Sequence, residues 1–157
     1  MTKPSFLTTE SDGVLEFTLN RPEKLNALNA EIFHGLREAV DALATRDELR
    51  VLLIRATGRY FCAGVDLTGA EPDMHGSSKA VRARYRRELH GMMALYQEME
   101  AVEKPIVVAH HATCVGGGLE LSLSCDFRLA AASASYAFPE AKLGMIPASG
   151  SVSRLRA

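Results

Sequence analysis

Val14 to Leu19 (VLEFTL) mixes β-branched and apolar residues and ends at Asn20-Arg21-Pro22. That pattern predicts a strand closed by a turn. Phe6 to Thr9 is expected to pair with it, with Asp12 and Gly13 supplying a hairpin turn. From Asn29 the period changes. Ile32, Phe33, Leu36, Ala39, Val40 and Leu43 recur at helical spacing and form one apolar stripe, ending near Thr45-Arg46-Asp47. Asn29 is placed to cap this helix, because its side chain can accept an orphan backbone N–H. Val51 to Ile54 (VLLI) is a short continuous apolar run after a helix and reads as a buried parallel strand.

Residues 57–78 hold Gly58, Gly64, Gly69, Pro72 and Gly76 and read mostly as loop. A second long helix is predicted over 79–101, with Val81, Tyr85, Leu89, Met92, Met93, Tyr96 and Met99 on its core face. Lys104-Pro105 stops it, and Ile106 to Ala109 is another buried strand. Gly116-Gly117-Gly118 opens a helix running to about Ser124, and Phe127–Ala130 and Tyr136–Phe138 are short strands. Alternating strand and helix patterns predict an α/β protein with parallel strands, in one domain over residues 1–157. Neither an internal repeat nor a low-complexity tract is present.

Composition narrows the function classes. The chain has 157 residues, 47% apolar and 24% charged, with a formal net charge of −1, as expected of a globular domain with a real core. The one basic cluster, Arg82, Arg84, Arg86 and Arg87, falls in the second long helix and reads as a solvated face rather than a nucleic-acid site. The 3 cysteines, Cys62, Cys114 and Cys125, have no C-x-x-C spacing, so neither a disulfide framework nor a zinc site is indicated. No run approaches the ~18 apolar residues of a membrane span, and Met1-Thr2-Lys3-Pro4-Ser5 has no apolar signal region. A cytoplasmic protein is expected.

Three segments can carry chemistry. Phe61-Cys62-Ala63-Gly64-Val65-Asp66-Leu67 follows a strand and a short loop, and its small residues let a ligand approach the backbone. Taken alone, it also fits an ordinary surface loop. Gly116-Gly117-Gly118-Leu119-Glu120 exposes backbone N–H groups at the positive end of a helix, a setting for an oxyanion or a phosphate. The Gly-Lys-Ser/Thr ending of a P-loop and the Gly-x-Gly-x-x-Gly of a dinucleotide site are both absent here. What remains is an oxyanion donor with an acid, Glu120, one turn into the helix, although helix N-termini favour carboxylates in any case. The third segment is Tyr136-Ala137-Phe138-Pro139-Glu140. The adjacent His110 and His111 do not suggest a metal pair, because neighbours in a strand point to opposite faces.

Together these segments resemble the crotonase (enoyl-CoA hydratase/isomerase) family. The matching text is Asn20-Arg21-Pro22 with Asn26-Ala27-Leu28, then Phe61 to Asp66, Gly116 to Glu120, and Pro139-Glu140, with Glu140 twenty residues after Glu120. Cys125-Asp126, Leu143-Gly144 and Ile146-Pro147 fit the same pattern. The resemblance implies a crotonase-like fold with a ββα-repeat spiral core. It implies an oxyanion hole from the backbone N–H groups of Ala63 and Gly117, which would hold the thioester oxygen of an acyl-CoA. It makes Glu120 and Glu140 the catalytic pair that adds water across the C2–C3 double bond of a 2-enoyl-CoA. Ala63, Gly64, Val65, Asp66 and Gly117 are expected to line the substrate site, and Lys24 to reach a CoA phosphate. No metal or separate cofactor is implied, since CoA is part of the substrate.

The chain departs from the family pattern at His111-Ala112, where Asn-Gly is common, at Val65, where Gly or Ala is usual, and across 147–155, where the family is richer in glycine. It also stops before the family's C-terminal helical part, which covers the acyl pocket and helps build trimers, often paired into hexamers. The sequence therefore reads as a crotonase-like core lacking that part, with apolar surface left exposed. Two other readings stay open: a double-bond isomerase or other crotonase reaction, and a non-catalytic remnant that binds acyl-CoA or an intact homologue.

Overall fold

The computed structural model describes residues 3–68 and 79–155, apart from the side chains of residues 80–82, 84, 85 and 88. The strands are β1 (Phe6–Ser11), β2 (Val14–Leu19), β3 (Val51–Ala56), β4 (Ile106–His110), β5 (Cys114–Val115), β6 (Phe127–Ala130) and β7 (Tyr136–Ala137). The helices are α1 (Ala30–Thr45), α2 (Lys79–Ala101), α3 (Gly117–Leu123) and α4 (Ser151–Arg154), with short 3₁₀ turns at Pro22–Lys24 and Glu140–Leu143.

Five strands form one sheet in the order β1-β2-β3-β4-β6. β1 and β2 are antiparallel, with Phe6 opposite Leu19. Asp12 (φ 52°) and Gly13 (φ 83°) make the turn between them, both in the left-handed region that tight hairpins need. The remaining pairings are parallel, with Val14 opposite Val51, Leu52 opposite Ile106, and Val107 opposite Phe127. β5 and β7 form a separate parallel pair.

α1 begins as its sequence requires: the Asn29 side chain accepts the Ile32 N–H at 2.9 Å. Its buried face, Ile32, Leu36, Ala39, Val40 and Leu43, covers β2 and β3. A glycine in mid-helix costs backbone entropy, but the Phe6 ring occupies the space a Cβ at Gly35 would take, and Phe6 stacks on Phe17 at 4.7 Å. Gly35 thus lets the hairpin close onto the helix.

Two sequence expectations change. β3 and β4 are not buried on both faces. Leu52, Ile54, Ile106 and Val108 are buried, whereas Val51, Leu53 and Val107 are half-buried and all of β6 is exposed. Among the described residues burial alternates along β3 and β4, with α1 packed on β2 and β3, so the period-2 alternation of a one-sided sheet replaces the all-buried pattern. In α2, Leu95, Tyr96 and Met99 are buried, but Met93 faces outward and Leu89 and Met92 are half-buried. The side chains of Val81, Tyr85, Arg82 and Arg84 lie outside the described residues, as do Gly69, Pro72 and Gly76, while Arg86 and Arg87 are exposed. Ile146, Val152, Leu155, Phe127 and Leu129 are exposed large apolar side chains. Among the described residues, no helix is long and apolar enough to cross a membrane.

The two histidines separate as strand geometry dictates. His111 is exposed and contacts the Gly58 carbonyl, whereas His110 is buried. The His110 ring lies edge-on to Phe61, with Nε2 2.7 Å from Ser122 Oγ and Nδ1 3.1 Å from the Tyr136 hydroxyl. Burial, helped by the charges of Arg128 and His111, pushes its pKa down to about 4. The folded pKa lies below the unfolded value of 6.5, so the unfolded chain takes up the proton first. Stability from this residue is therefore complete above about pH 6.5 and is lost as pH falls toward 4, by about 3 kcal/mol at most. Urea titrations at several pH values should show a steep acid loss that His110→Gln flattens. An identical slope in the variant would exclude the role.

Candidate active site

The sequence-predicted segments meet in one cleft of about 600 Å³. Ala63–Asp66, Gly116, Gly117, Glu120 and Glu140 all line it, beside apolar surface from Leu28, Phe33, Met92, Leu95, Leu143 and Ile146. Lys24 does not line the cleft, and its side chain is exposed on the 3₁₀ turn after Arg21.

The Asn20–Leu28 segment is the clamp that holds the Phe61–Asp66 loop. Asn26 is fully buried. Its Oδ1 accepts the Arg21 N–H at 2.8 Å, and its Nδ2 donates to the carbonyls of Thr57 and Tyr60 at 2.7 and 2.9 Å. Arg21 pairs with Asp66 at 2.7 Å and also donates to the Ala27 carbonyl. Asp66 additionally accepts from the backbone and hydroxyl of Thr68. Burial raises the Asp66 pKa, but the Thr68 and Arg21 bonds outweigh it and hold the carboxyl below its usual range. The Asp66 carboxylate thus fixes its own loop at the edge of the cleft it lines.

The backbone donors also differ from the sequence reading. The Ala63 N–H, expected to face an oxyanion, donates to the Leu25 carbonyl at 3.0 Å and is not free. The next stretch pairs with Leu28: the Leu28 N–H donates to Gly64 O, and the Asp66 N–H donates to Leu28 O, both at 2.8 Å. In an extended segment alternate residues point their amides to opposite sides. With Gly64 and Asp66 turned toward Leu28, the Val65 N–H turns the other way, toward Gly117. Among the described residues it has no acceptor. Gly117 is the first residue of α3, where a helical N–H has no acceptor within the helix. A Cβ at Gly117 would lie 3.3 Å from Val65 N, so the two amides border one space.

Each glycine of the run is needed for a separate reason. Gly116 adopts φ 54°, ψ −131°, a conformation for glycine alone, and Glu140 Oε1 lies 3.1 Å from where its Cβ would be. Gly117 meets Val65. At Gly118, a Cβ would fall 2.5 Å from Cys62 Sγ, so only glycine lets α3 rest on the loop. The Tyr96 hydroxyl, buried on α2, donates to the Gly117 carbonyl at 3.3 Å and secures the first turn.

Glu120 is buried, and its Oε1 accepts the Ala148 N–H at 2.7 Å and the Ser151 hydroxyl at 3.0 Å. Burial raises its pKa, opposed by those two bonds and by Arg154 and reinforced by Glu140. Glu140 also lines the cleft, and its Oε2 is buried with no partner among the described residues. A buried carboxylate oxygen without a donor is costly unless something else reaches it. Cys62, beside the cleft, is an unsuitable nucleophile: burial pushes its thiol up to about 12, and its Sγ contacts the Asn26 carbonyl.

Sequence reasoning missed Ala148, Ser151, Arg154 and Glu100. Arg154 bonds Glu100 through Nε at 2.5 Å and Nη2 at 2.8 Å and also donates to the Ser149 carbonyl, tying α4 to α2. The departure from a glycine-rich pattern at 147–155 was the only signal in the sequence, and it named no role.

The fold and the paired carboxylates beside two open backbone amides define an α/β protein with a crotonase-type cleft. Residues 9–157 match the enoyl-CoA hydratase/isomerase family, and the chain belongs to it. A probable enoyl-CoA hydratase of Mycobacterium leprae is 35% identical over 150 residues, covering 94% of this chain and 56% of that protein. A peroxisomal Δ(3,5)-Δ(2,4)-dienoyl-CoA isomerase of Arabidopsis thaliana is 30% identical, covering 99% and 60% respectively. A solved structure of a putative enoyl-CoA hydratase/isomerase from Legionella pneumophila superposes with a TM-score of 0.85 at 29% identity, over 99% of this chain and 59% of that one. The chain thus spans somewhat more than half the length of these relatives.

Proposed function

We propose that this chain hydrates a 2-enoyl-CoA thioester, and that the cleft carries the reaction. The observation that supports this reading is the convergence of two carboxylates, Glu120 and Glu140, on a space bordered by the Val65 and Gly117 amides. Adding water β to a thioester builds negative charge on the carbonyl oxygen. Two fixed N–H donors stabilise that charge without reorganising as it forms. One carboxylate takes the proton of the water and the other helps hold the water and delivers a proton to C2. Both carboxylates act on the one water, so neither proton is assigned to one residue. The apolar wall of Leu28, Phe33, Met92 and Leu95 suits an acyl chain. No cofactor beyond the CoA of the substrate enters this scheme.

Product analysis tests the reading. Crotonyl-CoA should lose its conjugated absorbance and yield a 3-hydroxyacyl-CoA with the mass of one added water. A 3-enoyl-CoA should remain unchanged. A product of unchanged mass, with only the double bond moved, would replace hydration by isomerisation. Binding of the thioester without turnover would leave a non-catalytic acyl-CoA site.

A further inference from the structure

We propose that Ser151 is a positioning residue for Glu120, its hydroxyl proton turning between two acceptors as Glu120 changes charge. Ser151 is fully buried at the start of α4. Its Oγ lies 3.0 Å from Glu120 Oε1 and 2.8 Å from the Ala148 carbonyl. A hydroxyl carries one proton and can donate to only one of these at a time. A bond to an ionised carboxylate is about twice as strong as one to a neutral carbonyl. With Glu120 ionised the proton points to Oε1; with Glu120 protonated it turns to the Ala148 carbonyl.

The consequence is an asymmetric carboxylate. Oε1 receives both the Ala148 N–H and the Ser151 hydroxyl, while Oε2 receives no donor among the described residues and belongs to a side chain that lines the cleft. The ionised form is held in one rotamer with Oε2 presented to the reacting water. The protonated form loses one of its two anchors at no cost to Ser151. The groups facing Glu120 are Tyr96 from α2, Glu140 from the 3₁₀ turn, and Arg154 from α4. Burial and Glu140 push its pKa up, while Ser151, Ala148 and Arg154 pull it down. Arg154 is itself held by Glu100, so α4 stays seated without help from the Ser151 hydroxyl.

The kinetic part of this inference rests on the hydratase reading, and the titration part does not. The test is a ¹³C-carboxyl NMR titration of the chain, with the Glu120 signal assigned by its loss in Glu120→Gln. In Ser151→Ala the Glu120 midpoint should move to higher pH, and in Ser151→Thr it should return toward the parent value. With crotonyl-CoA, the acid limb of the kcat/KM profile should move with it, and kcat at neutral pH should fall about tenfold, the effect of one lost bond to a charged group. Circular dichroism of each variant establishes that it is folded. An unchanged midpoint in folded Ser151→Ala overturns the proposal. Midpoints that move without turnover in any form support the positioning role and reject hydration.

Discussion

Glu120→Gln and Glu140→Gln should each slow hydration of crotonyl-CoA by about 10²–10⁴-fold, the usual contribution of a positioned acid or base. Glutamine has nearly the shape of glutamate and keeps a carbonyl oxygen. At position 120 that oxygen can still accept the Ala148 N–H and the Ser151 hydroxyl. The substitution therefore removes the proton chemistry and leaves the scaffold in place. Stability should move in the opposite direction. The folded pKa of Glu120 lies above its unfolded value, chiefly through burial. The ionised form is thus disfavoured in the folded state, and the residue destabilises the protein increasingly as pH rises from the unfolded pKa to the folded one. A neutral amide escapes that penalty at neutral pH. Glu120→Gln should unfold at higher urea while turning over more slowly, the trade-off expected of a group kept for function. Because the two carboxylates would act on one water, the double variant should be little slower than the worse single variant. Parent rates in both single variants would remove the pair from the mechanism.

Gly117→Ala should lower kcat/KM by about 10²–10³-fold, the loss seen when one oxyanion donor fails. The added methyl would fall 2.6 Å from Val65 Cγ2 and 3.3 Å from Val65 N, in the space the two amides border. Two causes are possible, and a second substitution separates them. Val65→Ala removes the Cγ2 clash but leaves the methyl between the amides. If the obstruction of the oxyanion space is the cause, the double variant stays slow. Recovery to within a few-fold of the Val65→Ala rate would instead assign the loss to crowding against Val65, and a full rate in Gly117→Ala alone would remove this pair of donors from the reaction.

These effects were only partly legible along the chain. The glycine run and Glu120 form a local pattern, glycines ahead of a helix with an acid one turn inside it, whereas Glu140 gains its role only from the company of the other segments and the resemblance they carry. Gly117 is named as a donor through the resemblance to the crotonase family, and its place in the first turn of a helix, where the N–H has no partner within the helix, suits that role. The first donor could not be placed that way. Ala63 and Val65 sit in the same loop, and nothing local distinguishes their amides. The distinction comes from Leu25 and Leu28, more than thirty residues earlier, which take the Ala63 and Asp66 amides and leave Val65 turned toward Gly117. The Arg21–Asp66 pair is likewise invisible along the chain, because its partners lie 45 residues apart and only folding brings them to 2.7 Å.

By itself, the sequence determined where most elements begin and end. Val14–Leu19 as a strand, Ala30–Thr45 capped by Asn29, and Lys79–Ala101 as a long helix all follow from periodicity and end chemistry within a few residues of each element. It also determined the α/β class and the residue types available for acid–base chemistry. Tertiary structure decided which sheet face is covered, so β6 stays exposed and Met93 points outward. It decided which backbone N–H groups are open, and it placed Ala148 and Ser151 on Glu120. The physical reason is common to these cases. Propensity and capping act over one or two turns, whereas the direction of a hydrogen bond and the covering of a face depend on partners that only folding brings together.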